Sequence, residues 1–493
     1  MSTIDLFEYS PCGAGDASLL LEGRWKGLND FLQGVWNERP QTEARYKREL
    51  EPEDENDEDK GSQRYLKTEN DRLKAHRFVG TVCFEDITIN IWPRVFKSQS
   101  QSPGQDMGTL RGVMTRNMLY WASKAEYLTL HPSNGSGARP PVDIPNFFEA
   151  YIWLFANFTR DLLARQPYWQ YQPEIEEGEV LRGRLEMNQY LNDCLARGRW
   201  HRLVYEHEPF DFDNLLNRII KRTCKLAQGF CDSPSLKAKL AEILFELDEV
   251  EDVSCTVRDC DRVHLNRMHT EYQIVLDNCR MILAQCQADN SGRDMKRFCF
   301  LLPMDRLFEE YLRVLAEEYL RELPQTASAP NWSLEEKNGS GRHLASGYDV
   351  ATRKESNCFS LIHDLLFKRE NSPGIVIADA KWKDRRKNLA SGNFGASQSD
   401  MYQMVAYAHG RGCTEVRLLY PAMGEGSGTT HVATLTTKPG GESTGLPIKV
   451  QIHELKIHWI PSGTNTPPVS EQEMIDIVEG DIRNAFRSML AIP

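Results

Sequence analysis

Cys358-Phe359-Ser360-Leu361-Ile362-His363-Asp364-Leu365-Leu366-Phe367-Lys368, followed a short turn later by Ile375-Val376-Ile377-Ala378-Asp379-Ala380-Lys381-Trp382, is the stretch that decides how this chain folds. Both runs are dominated by apolar residues and bounded by turn formers, so they read as paired strands. Arg369-Glu370-Asn371-Ser372-Pro373-Gly374 supplies the turn. Folding about the Asn371/Ser372 junction sets Asp364 opposite Asp379, and facing Cβ atoms of an antiparallel pair lie roughly 5 Å apart. Lys381, two residues past Asp379, projects from the same face. His363 is expected on the opposite face, as a packed or solvated ring.

Two carboxylates so close on an otherwise apolar sheet repel each other unless something compensates. A hard divalent cation, magnesium or manganese, is the natural compensator because it takes carboxylate oxygens. A lysine beside such an ion stabilises a hydroxide or a developing phosphorane charge. The set resembles the active site of PD-(D/E)xK nucleases, with Asp364, Asp379 and Lys381 in its three places. A surface hairpin with scattered charges is the plainer alternative, since D-x-K triplets are common. Downstream, Gln398 to Ala408 reads as a helix leading into the strand Glu415-Val416-Arg417-Leu418-Leu419-Tyr420-Pro421. Gln403 and Tyr407, one turn apart, share a face of that helix. Strand, strand, helix, strand is the core order of the nuclease fold, and Q-x-x-x-Y resembles the accessory motif of its RecB-like branch. An ordinary buried amide and ring is the competing reading of that pair.

Beyond these residues, the run from Ser397 to Ala408 followed by Arg417-Leu418-Leu419-Tyr420-Pro421 resembles the McrC family, the nuclease subunits of the modified-cytosine restriction system McrBC. Phe78-Val79-Gly80-Thr81-Val82 with Ile87 to Arg94, Leu181-Arg182-Gly183-Arg184-Leu185, Phe212 to Lys221, and Met304-Asp305-Arg306-Leu307-Phe308-Glu309 resemble further family motifs, in family order. The resemblance implies a nuclease of double-stranded, modified DNA that works with a hexameric AAA+ GTPase of McrB type and stimulates its hydrolysis. It implies that Asp364 and Asp379 hold magnesium, with a backbone carbonyl from Ala380 and a carboxylate from Glu309 on the first nuclease helix. Lys381 would orient or deprotonate the attacking water, and Gln403 would position the second aspartate or a phosphate. Residues 1–140, including a hairpin at 76–94, are assigned by the same resemblance to docking on the partner ring. The family usually has proline before the first aspartate, where this chain has His363; proline is no metal ligand, so the set stays intact.

A formal net charge of −12 over 493 residues is awkward for such a protein, because phosphate contact rewards positive charge. Local patches matter more than totals. Lys381, Lys383, Arg385, Arg386 and Lys387 crowd the end of the second strand, where a phosphodiester would lie. Much of the acid is segregated in Glu51-Pro52-Glu53-Asp54-Glu55-Asn56-Asp57-Glu58-Asp59, a self-repelling run expected to be a solvated loop tip. The 12 cysteines form no C-x-x-C pair and read as free thiols in a reducing cytoplasm. No long apolar run or basic-then-apolar start is present, so neither a membrane span nor a secretory leader is expected. Without G-x-x-x-x-G-K-[ST] the chain has no P-loop for a nucleoside triphosphate.

The pattern as a whole predicts a multidomain α+β protein. A β-containing docking region at 1–140 would be followed by a helical middle at 141–292. A C-terminal α/β PD-(D/E)xK restriction-endonuclease-like core, a mixed sheet flanked by helices, would occupy 293–493. Helices are predicted around Gly27–Trp36, from Asp143, at Asn214–Leu226, Ser235–Phe245, Glu271–Gln287, Met304–Leu320 and Glu471–Leu490. The first nuclease strand is placed at His343–Val350 and an edge strand at Val450–Ile460; Ser98–Gly108, 323–344 and Gly424–Gly445 read as loops, the last as a loop or hairpin. Two other functions stay open: a non-catalytic adaptor that activates the NTPase ring, and a stand-alone RecB-like nuclease.

Overall fold

The computed structural model describes residues 2–11, 23–37, 63–69, 72–101, 106–128, 130, 144–288, 296–323, 331–335, 342–349, 353–369, 374–386, 389, 392–423, 430–438, 446–460 and 470–490. The acidic run 51–59, the Asn371/Ser372 turn and Lys387 lie outside them. The chain divides into two compact units. One joins Met1–Val82, Ile87–Leu128 and Phe300–Pro493; the other holds Cys83–Asp86 and Thr129–Cys299.

In the first unit, the strand Ser2–Phe7 runs parallel to Ile87–Trp92, with Ile4 beside Ile89. Ile87–Trp92 in turn borders Phe78–Phe84, the predicted hairpin partner. Gly80 sits at φ +138, and a Cβ there would meet the Phe300 carbonyl oxygen at 2.2 Å, so only glycine fits this approach. The strand Ser2–Phe7 and the helix Met107–Lys124 were not foreseen. Asp106 caps that helix by accepting from the amides of Gly108 and Thr109, at the end of a segment that reads as a loop.

The six-stranded sheet of this unit runs in the order Trp332–Leu334, Leu365–Arg369, Ile375–Ala380, Glu415–Pro421, Lys449–Leu455, Thr430–Thr436. Ile375–Ala380, Glu415–Pro421 and Lys449–Leu455 are mutually parallel and the outer pairings are antiparallel. Parallel strands are covered on both faces, which explains their near-continuous apolar runs. The helix Gln398–Arg411 places Met404, Tyr407 and Ala408 in one core with Ile377, Val416, Leu418, Tyr420, Val450 and Ile452. It starts at a Ser397/Asp400 capping box and stops at Gly412, where φ is 68.

Three sequence expectations need correction here. Cys358–Lys368 is not one strand: Lys354–Ser360 pairs with His343–Asp349 in a separate two-stranded sheet, and Leu361–Asp364 intervene before Leu365–Arg369. His343–Asp349 is therefore not the first strand of the main sheet; Trp332–Leu334 is, inside the segment read as loop. Lys449–Leu455 is not at the edge, because Thr430–Thr436 pairs along its free side.

The second unit is mainly helical, with Phe147–Arg165, Leu215–Phe230, Pro234–Glu246 and Glu271–Gln285. A small sheet of Glu174–Gly178, Leu203–His207 and Arg184–Leu185 accompanies them. The motif Phe212 to Lys221 has a structural explanation at nearly every polar position. Asn214 caps Leu215–Phe230 through the Asn217 amide, and the Asn217 side chain donates to the carbonyls of Tyr168 and Phe212 at 2.9 and 2.8 Å. Arg218 grips Asp213 with two hydrogen bonds. Lys221 donates to the carbonyls of Leu247, Asp248 and Val250. The whole is a multidomain α+β architecture with mixed sheets.

Candidate active site

The hairpin register decides the site. Leu365 pairs with Ala378, Leu366 with Ile377 and Phe367 with Val376, and the same register continued by one residue brings Asp364 opposite Asp379. Their carboxyl groups are within hydrogen-bonding contact. Asp364 Oδ2 also accepts from the Ala380 amide at 2.9 Å. Lys381 Nζ lies 2.6 Å from Asp379 Oδ2, so all three members converge as the two-residue period requires.

Asp364 precedes its strand, and two side chains fix the backbone there. Tyr407 donates its hydroxyl to the Ile362 carbonyl, and Gln403 Nε2 donates to that same Tyr407 oxygen at 2.8 Å. From the helix Met304–Glu322, Arg313 donates to the Asp364 carbonyl at 3.2 Å and to the Glu335 carbonyl at 2.8 Å. Gln403 thus acts on the approach to Asp364 through Tyr407, whereas the sequence pointed it at the second aspartate or a phosphate. His363 is buried against Tyr407, ring centroids 4.4 Å apart. Burial first, then Arg411, holds its pKa down at about 4, which fits the packed reading.

Asp379 is 1% exposed. Desolvation pushes its pKa up, Lys381 pulls it down, and Glu309 pushes it up again. Burial alone would depress the Lys381 ammonium, yet Asp379 and Asp364 outweigh it and drive its pKa above the ordinary lysine range. Lys381 is therefore a firmly held cation in this arrangement and a poor base. Glu309 is felt by Asp379 but points one oxygen at Arg306, 3.0 Å away.

Two carboxyl groups face one ammonium, and Lys381, 2.6 Å from Asp379 Oδ2, is the one cation paired with Asp379 among the described residues. Among the described residues no group of three or more His, Cys, Asp or Glu side chains has metal-holding geometry. Magnesium does not need one: it binds through one or two carboxylates and keeps several waters. The donor set Asp364 and Asp379 fits that requirement.

Residues the sequence did not single out complete the surroundings. Asp400, 2% exposed, receives Lys383 at 3.0 Å on Oδ1 and the Tyr420 hydroxyl at 2.9 Å on Oδ2. Arg385 is paired with Glu454 and Arg386 with Asp384. The basic run after the second strand is therefore substantially neutralised by acids of this chain. Asp400 hid in plain sight as a helix-capping residue, the ordinary reading of S-x-x-D. Glu8 carries no sequence signal, and Arg94, although it ends the motif Ile87 to Arg94, gives no hint that it reaches Trp382, 288 positions away.

An acid pair and an amine thus stand at the carboxyl end of a strand that runs parallel to its neighbour Glu415–Pro421. The family model of the McrBC 5-methylcytosine restriction system component matches residues 73–421. The chain belongs to that family. Its fold is similar to a half-complex from a tetradecameric assembly of Thermococcus gammatolerans McrB AAA+ hexamers with bound McrC, at TM-score 0.63 and 16% identity, over 99% of this chain and 100% of that one. A cryo-EM structure of the T. gammatolerans McrBC complex is matched at TM-score 0.48 and 19% identity, over 66% of this chain and 89% of that one. No curated protein matched the chain. Among the described residues no helix is long and apolar enough to cross a membrane.

Proposed function

We propose that this chain is the nuclease subunit of an McrBC-type restriction system. It hydrolyses phosphodiesters of modified double-stranded DNA at a PD-(D/E)xK-like core, in assembly with an AAA+ GTPase ring that it stimulates. One observation carries the reading: Asp379 is a buried carboxylate in contact with Asp364, and among the described residues Lys381 is its one cationic neighbour within ion-pair distance. Family membership and the fold likeness to McrC bound to McrB hexamers support the partner.

Asp364 and Asp379 would hold magnesium or manganese, with Glu309 and the Ala380 carbonyl as candidate further oxygens. Such an ion supplies water of lowered pKa and neutralises phosphate charge. The Ala380 amide keeps the Asp364 carboxylate turned toward Asp379. Lys381, held protonated, donates to the attacking oxygen or to the pentacovalent phosphate rather than removing a proton. Gln403 and Tyr407 anchor the segment before Asp364, and Asp400 anchors Lys383 near the phosphate path.

The test is cleavage of methylated duplex by the full chain with its AAA+ partner, GTP and magnesium. Asp364→Ala and Lys381→Ala should stop cleavage while stimulation of GTP turnover persists. Cutting at the normal rate by either variant refutes the nuclease assignment. Cutting by the chain alone, without nucleotide, would instead favour a stand-alone enzyme.

A further inference from the structure

Trp382 directly follows the D-x-K triplet, and its indole N–H and its carbonyl are both taken by residues from the N-terminal part of the chain. Its indole N–H donates to Glu8 Oε1 at 2.6 Å, and its carbonyl accepts from Arg94 Nη2. Arg94 gives its backbone amide to the same Glu8 oxygen at 3.0 Å and brings Nε to 3.5 Å. Glu8 is itself tied down, its amide donating to the Trp92 carbonyl at 3.0 Å. These contacts close a ring through Glu8, Arg94 and Trp382, sealed by Phe308 against the indole at 5.3 Å and by Tyr9 under the Arg94 guanidinium at 4.4 Å.

A carboxylate is a costly choice for that ring. Glu8 is fully buried, its Oε2 has no hydrogen-bond partner, and burial pushes its pKa up to about 7 against the pull of Arg94. A neutral amide would make the indole contact with less desolvation penalty. What only the carboxylate adds is an ion pair with Arg94, which reaches on to the Trp382 backbone. On either side of this point the main chain is also fixed: the Lys381 amide donates to Leu419 O at 2.8 Å, and the Lys383 amide donates to Lys381 O at 2.8 Å.

Resting on the nuclease reading above, we infer that Glu8, Arg94 and Trp382 form a clamp that positions Lys381 for cleavage through the main chain of residue 382. They are positioning residues, acting on Lys381 through the main chain of residue 382. The N-terminal strand would then be part of the cleavage machinery.

The test compares Glu8→Gln, Arg94→Lys and Trp382→Phe with Asp379→Ala, all in the full chain assembled with its AAA+ partner. Single-turnover cleavage of methylated duplex should slow by roughly 10- to 100-fold in the three clamp variants, the range for a reactive group displaced by about an ångström. Their KM for DNA and their stimulation of GTP turnover should be unchanged. Reductive methylation of Lys381, read by mass spectrometry, should rise severalfold while that of the exposed Lys449 stays constant. If Asp379→Ala is inactive but the clamp variants cut and label like wild type, the clamp is refuted and the nuclease reading survives. If labelling rises at every lysine, the ring merely supports folding, and the clamp is again refuted. If Asp379→Ala cuts normally, both readings fall.

Discussion

Lys221 is buried and Lys381 partly buried, one in each unit, and they are used in opposite ways. Lys221 directs its ammonium at three backbone carbonyls, those of Leu247, Asp248 and Val250, just beyond the helix Pro234–Glu246. Those oxygens carry the partial negative charge of a helix end, and its three protons each have an acceptor. Lys381 instead serves two carboxyl groups, those of Asp379 and Asp364, with one ammonium. A buried polar group whose neighbours balance it holds a fold together. One whose neighbours do not balance it marks a place prepared for something else.

The largest effect that could break this contrast is chemical. Asp379→Ala should lower the cleavage rate by roughly 1000-fold or more, about 4 kcal/mol of transition-state stabilisation, without lowering the melting temperature, because the removed carboxylate is desolvated. A collapse of thermal stability in that variant would make Asp379 as structural as Lys221.

Next comes pH. The folded pKa of Glu8, about 7, lies above its ordinary value of 4.5. Its contribution to stability is fully present below 4.5 and is lost as pH rises through 7, a difference of roughly 3 kcal/mol. Glu8→Gln should match wild type near pH 5 in denaturant melts and be the more stable protein near pH 8. Parallel pH curves for the two proteins would show that Glu8 does not titrate in this window.

On the balanced side, Lys221→Met should destabilise the second unit by about 3 kcal/mol, because buried carbonyls lose their donor. Circular dichroism melting would report the loss, and cleavage per folded molecule should be retained. Magnesium or manganese sharpens the unbalanced side: at a hundred times Kd it should stabilise the wild type by about 2.7 kcal/mol and leave Asp364→Asn unmoved. An equal shift in both proteins would place the ion elsewhere. The smallest effect belongs to Gln403→Ala, about 1 kcal/mol for one lost hydrogen bond, seen as a small drop in melting temperature.

Much of the site was legible because it is local. Asp364, Asp379 and Lys381 sit on one hairpin, where a period of two and a turn fix their geometry. The helix Gln398–Arg411 and the strand Glu415–Pro421 were equally plain, having strong periodicity and clear caps. What sequence did not reveal was long-range. Trp332–Leu334 is a short strand recognisable only by its partner Leu365–Arg369. The break at Leu361–Asp364 interrupts an apolar run that looks continuous, because the hydrogen bonds from Tyr407 and Arg313 that hold it come from other elements. Lys449–Leu455 looked like an edge strand since its neighbour Thr430–Thr436 is polar and flanked by glycine-rich sequence. Glu8 and Arg94 meet Trp382 across hundreds of residues, a distance over which periodicity carries no information.

The contact between Glu8 and Trp382 spans 374 positions, which has a consequence for biosynthesis. At ordinary ribosomal speed, roughly 20 to 75 s separate the emergence of these two residues. Through that interval the Glu8 carboxyl must wait for its far partner. A nascent chain therefore cannot assemble the sheet end at Trp382 until that residue has left the ribosome, so the ring of Glu8, Arg94 and Trp382 closes late.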